Sequence, residues 1–218
     1  MTLAQSLPVG EHPDPDAQRG GIGADRRYFL LLLVQVGVVG LTVGIERVVV
    51  PLLGRDAFGL DRRSAILSFI VAFGLAKAPL NLVAGAAAAR IGGRRVLLIG
   101  WLSALPVPFL LALAPSWSWV IAANVFLGVQ QGLCWSATII MKVDLARPSE
   151  RGFAIGLNEL VGYAATAAAA YGGAVIAATY GLRTAPFVVL GALVLAGAAL
   201  AALTPERSRA PKVTDVRS

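Results

Sequence analysis

The sequence has 218 residues, of which 57% are hydrophobic and 14% are charged, and its mean hydropathy is +0.74. No soluble globular domain needs that much apolar surface, so the composition favours a lipid bilayer as the solvent. The formal charge of +7 does not indicate nucleic-acid binding, because the basic residues lie in short connections between apolar stretches.

Six apolar stretches, separated by charged residues, prolines and glycines, are long enough to cross a membrane. Residues 1–27 lack the basic-then-apolar layout of a cleavable signal peptide, so we expect a flexible cytosolic tail there and another over residues 204–218. Between them, residues 28–203 form the predicted transmembrane domain. Its spans are Tyr28–Leu53, Ser64–Ala88, Val96–Ala114, Trp117–Met141, Phe153–Thr179 and Thr184–Leu203. The sequence thus predicts an all-α integral membrane protein, a bundle of six transmembrane helices.

The distribution of Lys and Arg predicts the orientation of these spans. With the amino terminus inside, 13 of the 19 basic residues fall in inner segments and five in outer segments, and Lys77 lies within the second span. Positively charged loops stay in the cytoplasm. We therefore expect a multi-pass protein of the inner membrane with both termini cytoplasmic.

The first predicted span carries a polar stripe. Gln35, Thr42 and Glu46 share one helical face, whereas Arg47 points about 100° away from Glu46. Two interpretations are open for the charged pair. Glu46 and Arg47 face a cavity, as a protonatable group and an anion-binding group, or they lie near the outer headgroups and extend their charges towards water.

Polar residues also share faces on the second and fifth predicted spans. Lys77 and Asn81 are one turn apart, which favours an interior position for the lysine over extension to the inner surface. On the fifth span, Asn158 and Glu159 precede Tyr163 at helical spacing. Glu159 lies about two turns inside the membrane boundary, so it is the acidic residue that we most expect to couple an ion or bind a substrate.

Two further features have a structural interpretation. The charges from Lys142 to Arg151 are typical of a solvated loop, although Asp144 directly follows an apolar run and could bind a basic neighbour. Closely spaced glycines predict tight packing between helices rather than chemistry. These glycines are Gly37, Gly40, Gly44, Gly128, Gly132, Gly152 and Gly156.

The connection between the second and third spans has a recognisable sequence, Gly85-Ala-Ala-Ala-Ala-Arg90-Ile-Gly92-Gly-Arg94-Arg95. It resembles the signature loop of major facilitator superfamily transporters, Gly-x-Leu-Ala-Asp-Arg-x-Gly-Arg-Arg/Lys. Gly85, Arg90, Gly92 and Arg94 match at the right spacing and on the cytosolic side. The stretch from Asp144 through Arg151 to Tyr163 is also similar to bacterial members, and the resemblance covers residues 28–203.

Three departures from the family pattern bear on function. Ala89 replaces the aspartate of the loop, and Gly93 replaces its first arginine. We hypothesise that Arg94 or Arg95 pairs with Asp144 instead. Asn124 stands where the fourth span of the family has an arginine, so the proton-relay role of that arginine does not transfer.

The resemblance implies a secondary active transporter that works by alternating access, is coupled to protons and needs no cofactor. Family members have two six-helix halves, each made of inverted three-helix repeats. We therefore expect an amino-terminal half or truncated permease whose partners are the bilayer, a small-molecule solute, and a second six-helix half or a second copy. The sequence is compatible with three classes of substrate: hydrophobic compounds for efflux, zwitterionic solutes and acidic solutes. The alternative is a non-transporting assembly partner or relic.

Other classes of activity find no support in the sequence. The only histidine is His12, so no Ser–His pair forms within the membrane, and no metal cluster or phosphate-binding loop for ATP occurs. We expect neither an enzyme nor a metalloprotein.

Overall fold

The computed structural model describes residues 21–206, and within that range the chain is helical and contains no strand. Six of its segments are long and apolar enough to cross a membrane, which confirms the predicted six-helix bundle. Most of the two predicted tails, including His12, lies outside the described residues. The elements are α1 (Gly21–Ala24), α2 (Arg26–Asp56), α3 (Arg63–Ile91), α4 (Gly93–Ala104), α5 (Val107–Ala112), α6 (Trp117–Leu145), the 3-10 turn η1 (Pro148–Glu150), α7 (Arg151–Tyr180) and α8 (Ala185–Leu203).

The observed helices differ from the predicted spans mainly at their ends. Helices α2, α3 and α6 extend up to four residues beyond the apolar runs into charged residues such as Arg26 and Asp56. A charged side chain at the edge of the hydrocarbon reaches the headgroups while its backbone continues the helix. The third span is interrupted around Leu105 and Pro106 and is formed by α4 and α5 together, because proline donates no backbone hydrogen bond.

Two pairs of helices pack in close contact, α2 against α7 and α3 against α6. A Cβ atom on Gly40 or Gly44 of α2 would collide with the backbone carbonyl oxygen of Gly162 or Thr166 in α7. In lipid, where apolar side chains gain little from burial, such backbone contacts provide the packing energy. Both pairs join spans that run in the same direction, the first with the fifth and the second with the fourth.

Glycines play the same part in the second pair. A Cβ on Gly128 or Gly132 of α6 would meet the carbonyl oxygen of Phe73 or Lys77 in α3. The first, second and third spans correspond in order to the fourth, fifth and sixth. Under this correspondence, the contact between the first and fifth spans is equivalent to the contact between the fourth and second. The bundle therefore has the contact pattern of two inverted three-helix repeats.

Side chains also donate hydrogen bonds to backbone carbonyls of neighbouring helices. Gln131 Nε2 on α6 donates to Val39 O on α2 over 2.8 Å, and Thr166 Oγ1 on α7 donates to Gly40 O over 3.1 Å. Gln35 Nε2 donates to Gly197 O on α8 over 3.2 Å. These bonds fix α2 in the middle of the bundle, in contact with α6, α7 and α8.

Not every predicted glycine contact occurs. An added Cβ on Gly152 or Gly156 of α7 would meet nothing within 4 Å, whereas one on Gly37 would lie 3.5 Å from a methyl group of Val161. The expectation of close packing at Gly152 and Gly156 is therefore wrong for the described bundle. These two glycines, four residues apart, lie on a face of α7 that no described helix covers.

We expect Gly44→Ala to lower the free energy of unfolding by about 1–3 kcal/mol, since its methyl group would overpack the contact with α7. Gly172→Ala is the matched control, because a Cβ there meets nothing within 4 Å. Both variants gain the same helix propensity, about 1 kcal/mol. The measurement is the thermal unfolding midpoint of the purified protein in detergent. Equal midpoints for the two variants would contradict the close contact.

Candidate functional site

Trp135 of α6 connects the polar side chains of three helices. Its indole Nε1 donates a hydrogen bond of 2.9 Å to Glu159 Oε1 on α7, and its ring lies 5.3 Å from that of Tyr163, centroid to centroid. The ammonium of Lys77 on α3 lies 5.2 Å from the indole centroid. Because Gly162 has no side chain, the indole packs directly on the backbone of α7. The arrangement holds a carboxylate, a cation and two aromatic rings together.

A buried hydrogen-bond network adjoins Trp135. Asn158 Oδ1 accepts from Lys142 Nζ and from Thr138 Oγ1, and Asn158 Nδ2 donates to Glu159 Oε1 over 2.9 Å. Lys142, Thr138 and Asn158 are all fully buried. The amide of Asn158 therefore bridges a buried ammonium and the Glu159 carboxylate, so both charges interact with one side chain.

Arg47 and Lys77 lie over the same phenyl ring. The guanidinium carbon of Arg47 is 4.7 Å from the centroid of Phe73, and Lys77 Nζ is 5.8 Å from it. Arg47 is also 5.9 Å from the centroid of Phe69. Both cations are partly buried. Arg47 therefore lies against the aromatic rings of α3, and its role as an anion-binding group stays a prediction.

Glu46 points into the bundle rather than towards the headgroups. Its side chain is 0% exposed and neither carboxylate oxygen has a hydrogen-bond partner among the described residues, although Asn124 of α6 lies beside it. Gln35 is also fully buried, and its Oε1 has no partner. Of the first-span stripe, Thr42 alone is satisfied locally, by donating to Val39 O.

Asn81 and Tyr163 border the cluster on its open side. Asn81 is exposed and its Oδ1 accepts a 3.2 Å hydrogen bond from Ser136 Oγ, and Tyr163 is 64% exposed. Lys77 and Glu159 are only partly buried. The polar cluster thus lies on one face of the six-helix unit. We call this face, formed by α2, α3, α6 and α7, the polar face.

A family model of the Major Facilitator Superfamily matches residues 32–218 of the chain. The chain belongs to the Major Facilitator Superfamily. It is a membrane transporter of that superfamily, and its six long apolar helices fit one six-helix half of the fold. A search among curated proteins found no match to the chain.

The signature loop of this major facilitator protein forms the sharp turn between α3 and α4. Gly92 has φ of +90°, a conformation that L side chains rarely adopt, and the Glu206 carboxylate lies where its Cβ would be. Arg94 Nη2 donates a 2.8 Å hydrogen bond to Ala202 O at the end of α8. Arg90 and Arg95 are exposed. The turn is therefore joined to the last helix of the bundle.

The other residues predicted for the loop motif lie apart from one another. Asp144 is exposed and interacts electrostatically with Tyr28 at the start of α2, so its pairing with Arg94 or Arg95 stays a prediction. Arg151 begins α7 and its Nε has no hydrogen-bond partner among the described residues. A Cβ on Gly85 would reach only a methyl group of Ile140, 3.9 Å away.

The sequence pattern contained a further polar stripe that had not been recognised. Gln131, Trp135, Thr138 and Lys142 follow one another at spacings of four, three and four residues, which places them on one face of α6. The network was therefore detectable from helical spacing. It was missed because tryptophan is common in apolar spans and because Lys142 stands close to a charged loop.

We expect Asn158→Leu to lower the free energy of unfolding by about 1–3 kcal/mol, because the buried ammonium of Lys142 would lose its acceptor. Adding Lys142→Met removes that charge and should recover at least half of the loss. Thermal unfolding of the two single variants and the double variant forms the test. Strictly additive losses would show that the two side chains do not interact.

Proposed function

We propose that this protein is a secondary active transporter that works by alternating access, and that its solute binds to the polar face. The supporting observation is the cluster at Trp135, where charged and aromatic groups face outward from the six-helix unit. Lipid tails would leave these groups without hydrogen-bond partners. Charged residues within membrane-spanning helices are typical of substrate and ion pathways.

The polar face requires a cover, and in this proposal a second six-helix unit provides it. That unit belongs to the same polypeptide, to a second copy, or to another chain. A solute between the two units would be exposed alternately to each side of the membrane as the units rock against each other. The positive charges in the inner loops support an inner-membrane location with both termini cytoplasmic.

In this proposal, the Glu159 carboxylate couples transport to a proton gradient by binding a proton. Its carboxylate lies eight residues into α7, on the polar face, and it accepts hydrogen bonds from Trp135 and Asn158. Electrostatic interactions with Lys77 and Lys142 link it to both lysines of the cluster. A proton on Glu159 would weaken these interactions and so alter how the polar face binds a charged solute. The arrangement is compatible with import and with efflux.

A non-transporting assembly partner is the second candidate. Ala89 and Gly93 favour it, since they remove a carboxylate and a cation that family members have in the signature loop. Without them, the turn retains its glycine conformation at Gly92 but has fewer groups for ionic contacts. The two candidates differ in whether the purified protein moves any solute.

We expect proteoliposomes containing the protein to accumulate a solute when a proton gradient is imposed, and Glu159→Gln to abolish this gradient-driven accumulation. The amide still accepts hydrogen bonds from Trp135 and Asn158, so the fold and solute exchange without a gradient should persist. The assay uses radiolabelled carboxylates, amino acids, sugars and organic cations, loaded on either side.

Asp61→Asn, in the exposed loop between α2 and α3, is the control for the loss of a carboxylate. It should transport like the unmodified protein. Undiminished gradient-driven accumulation in Glu159→Gln would contradict the coupling role. Absence of flux for every solute class would support the assembly-partner function instead.

A further inference from the structure

Two cations on the polar face have no direct hydrogen bond or ion pair to a carboxylate among the described residues, although a membrane environment favours one. Arg47 and Lys77 come from neighbouring helices and lie over the ring of Phe73 at 4.7 and 5.8 Å. In the described part of the chain, both cations lie over aromatic rings and interact with Glu46 and Glu159 only at longer range, without a hydrogen bond or an ion pair within 4 Å. A guanidinium carries five N–H donors and an ammonium three, and an aromatic ring satisfies them only in part.

Three other cations of the bundle each donate a hydrogen bond to an oxygen acceptor within the described residues. Lys142 donates to Asn158 Oδ1, Arg94 donates to Ala202 O, and Arg183 donates to Ala114 O over 3.2 Å. Arg183 also lies over a ring, that of Phe58, at 5.4 Å. Stacking on an aromatic ring therefore does not prevent a cation in this fold from finding an oxygen acceptor. Arg47 and Lys77, which lie on membrane-spanning helices, have no such oxygen acceptor in the described part of the chain.

The carboxylates of the cluster do not fill this gap. Glu46 lies next to Arg47 in sequence, but its side chain is fully buried beside Asn124. Glu159 already accepts from Trp135 and Asn158 through Oε1, and it interacts with two lysines. Even with both carboxylates ionised, the cations Arg47, Lys77 and Lys142 leave one positive charge. A bound monoanion would balance that charge.

From this we infer that Arg47 and Lys77 bind the acidic group of the transported solute, an organic anion with one carboxylate or phosphate group and an apolar body. The inference rests on the proposed function and names its substrate class. The Arg47 guanidinium presents paired N–H donors that suit the two oxygens of such a group, and the Lys77 ammonium adds a point charge. The ring of Trp135 lies next to Lys77, the ring of the exposed Tyr163 lies next to Trp135, and both rings would contact the apolar body.

The test measures binding by the purified full chain in lipid-free detergent. Benzoate and phenyl phosphate are the anionic probes, and benzylamine and benzyl alcohol have the same ring with a cation or no charge. Binding is followed by the thermal unfolding midpoint and by tryptophan fluorescence, because an anion at Lys77 would change the surroundings of the Trp135 indole. The fluorescence change should disappear in Trp135→Phe.

We expect both anions to bind, and Arg47→Gln or Lys77→Gln to weaken binding about tenfold, the usual effect of losing one charge-assisted contact. Arg47→Lys and Lys77→Arg keep the charge and should bind the anions more tightly than the glutamine variants do, which separates a charge effect from misfolding. Arg183→Gln is the matched control and should bind as the unmodified protein does.

Binding of benzylamine in preference to benzoate would overturn the inference, as would anion binding that both glutamine variants retain. The inference would also be overturned if neither benzoate nor phenyl phosphate bound. In that case gradient-driven flux of a cationic or neutral solute from the same preparation would show that the proposed function stands without it. Loss of benzoate binding in nanodiscs of phosphatidylglycerol, but not of phosphatidylcholine, would assign the site to a lipid headgroup and overturn the solute assignment.

Discussion

The close approach of two parallel helix pairs determines the rest of this structure. Because lipid is as apolar as leucine, membrane helices associate through packing and hydrogen bonds rather than through the hydrophobic effect. Gly44 and Gly132 illustrate the contact, since each brings its helix against a backbone carbonyl of the neighbour. At this distance Thr166 Oγ1 also reaches Gly40 O. Side chains larger than hydrogen at these glycines would separate the pairs and remove both kinds of contact.

The same packing produces the polar face. Gly162 lacks a side chain on its interhelical surface, so the Trp135 indole lies against the backbone of α7, and its Nε1 meets Glu159 Oε1. From that position the indole also contacts Tyr163 and Lys77. A residue that the composition alone would assign to the apolar core therefore positions a carboxylate and a cation. Packing and chemistry depend on one another at this point of the bundle.

The sequence predicted the six helices well because hydropathy and length report directly on membrane insertion. It placed Glu159 and Tyr163 correctly on a common face, since helical spacing is regular. It could not decide between the two environments of Glu46, because adjacent residues on a helix point in different directions and only packing shows which neighbour each meets. Lys142 was misjudged for a related reason. Its position near the helix end suggests solvent, whereas its long side chain extends back to Asn158.

The signature loop shows how a departure from a family pattern is accommodated. The family aspartate is replaced by Ala89, yet a carboxylate still reaches the turn, because Glu206 after α8 lies against Gly92. Gly92 caps the start of α4, where unpaired backbone N–H groups favour a nearby negative charge. Arg94 adds a bond from the same turn to Ala202 O. The Glu206 carboxylate and the Arg94 hydrogen bond therefore both link this turn to the end of the sixth span.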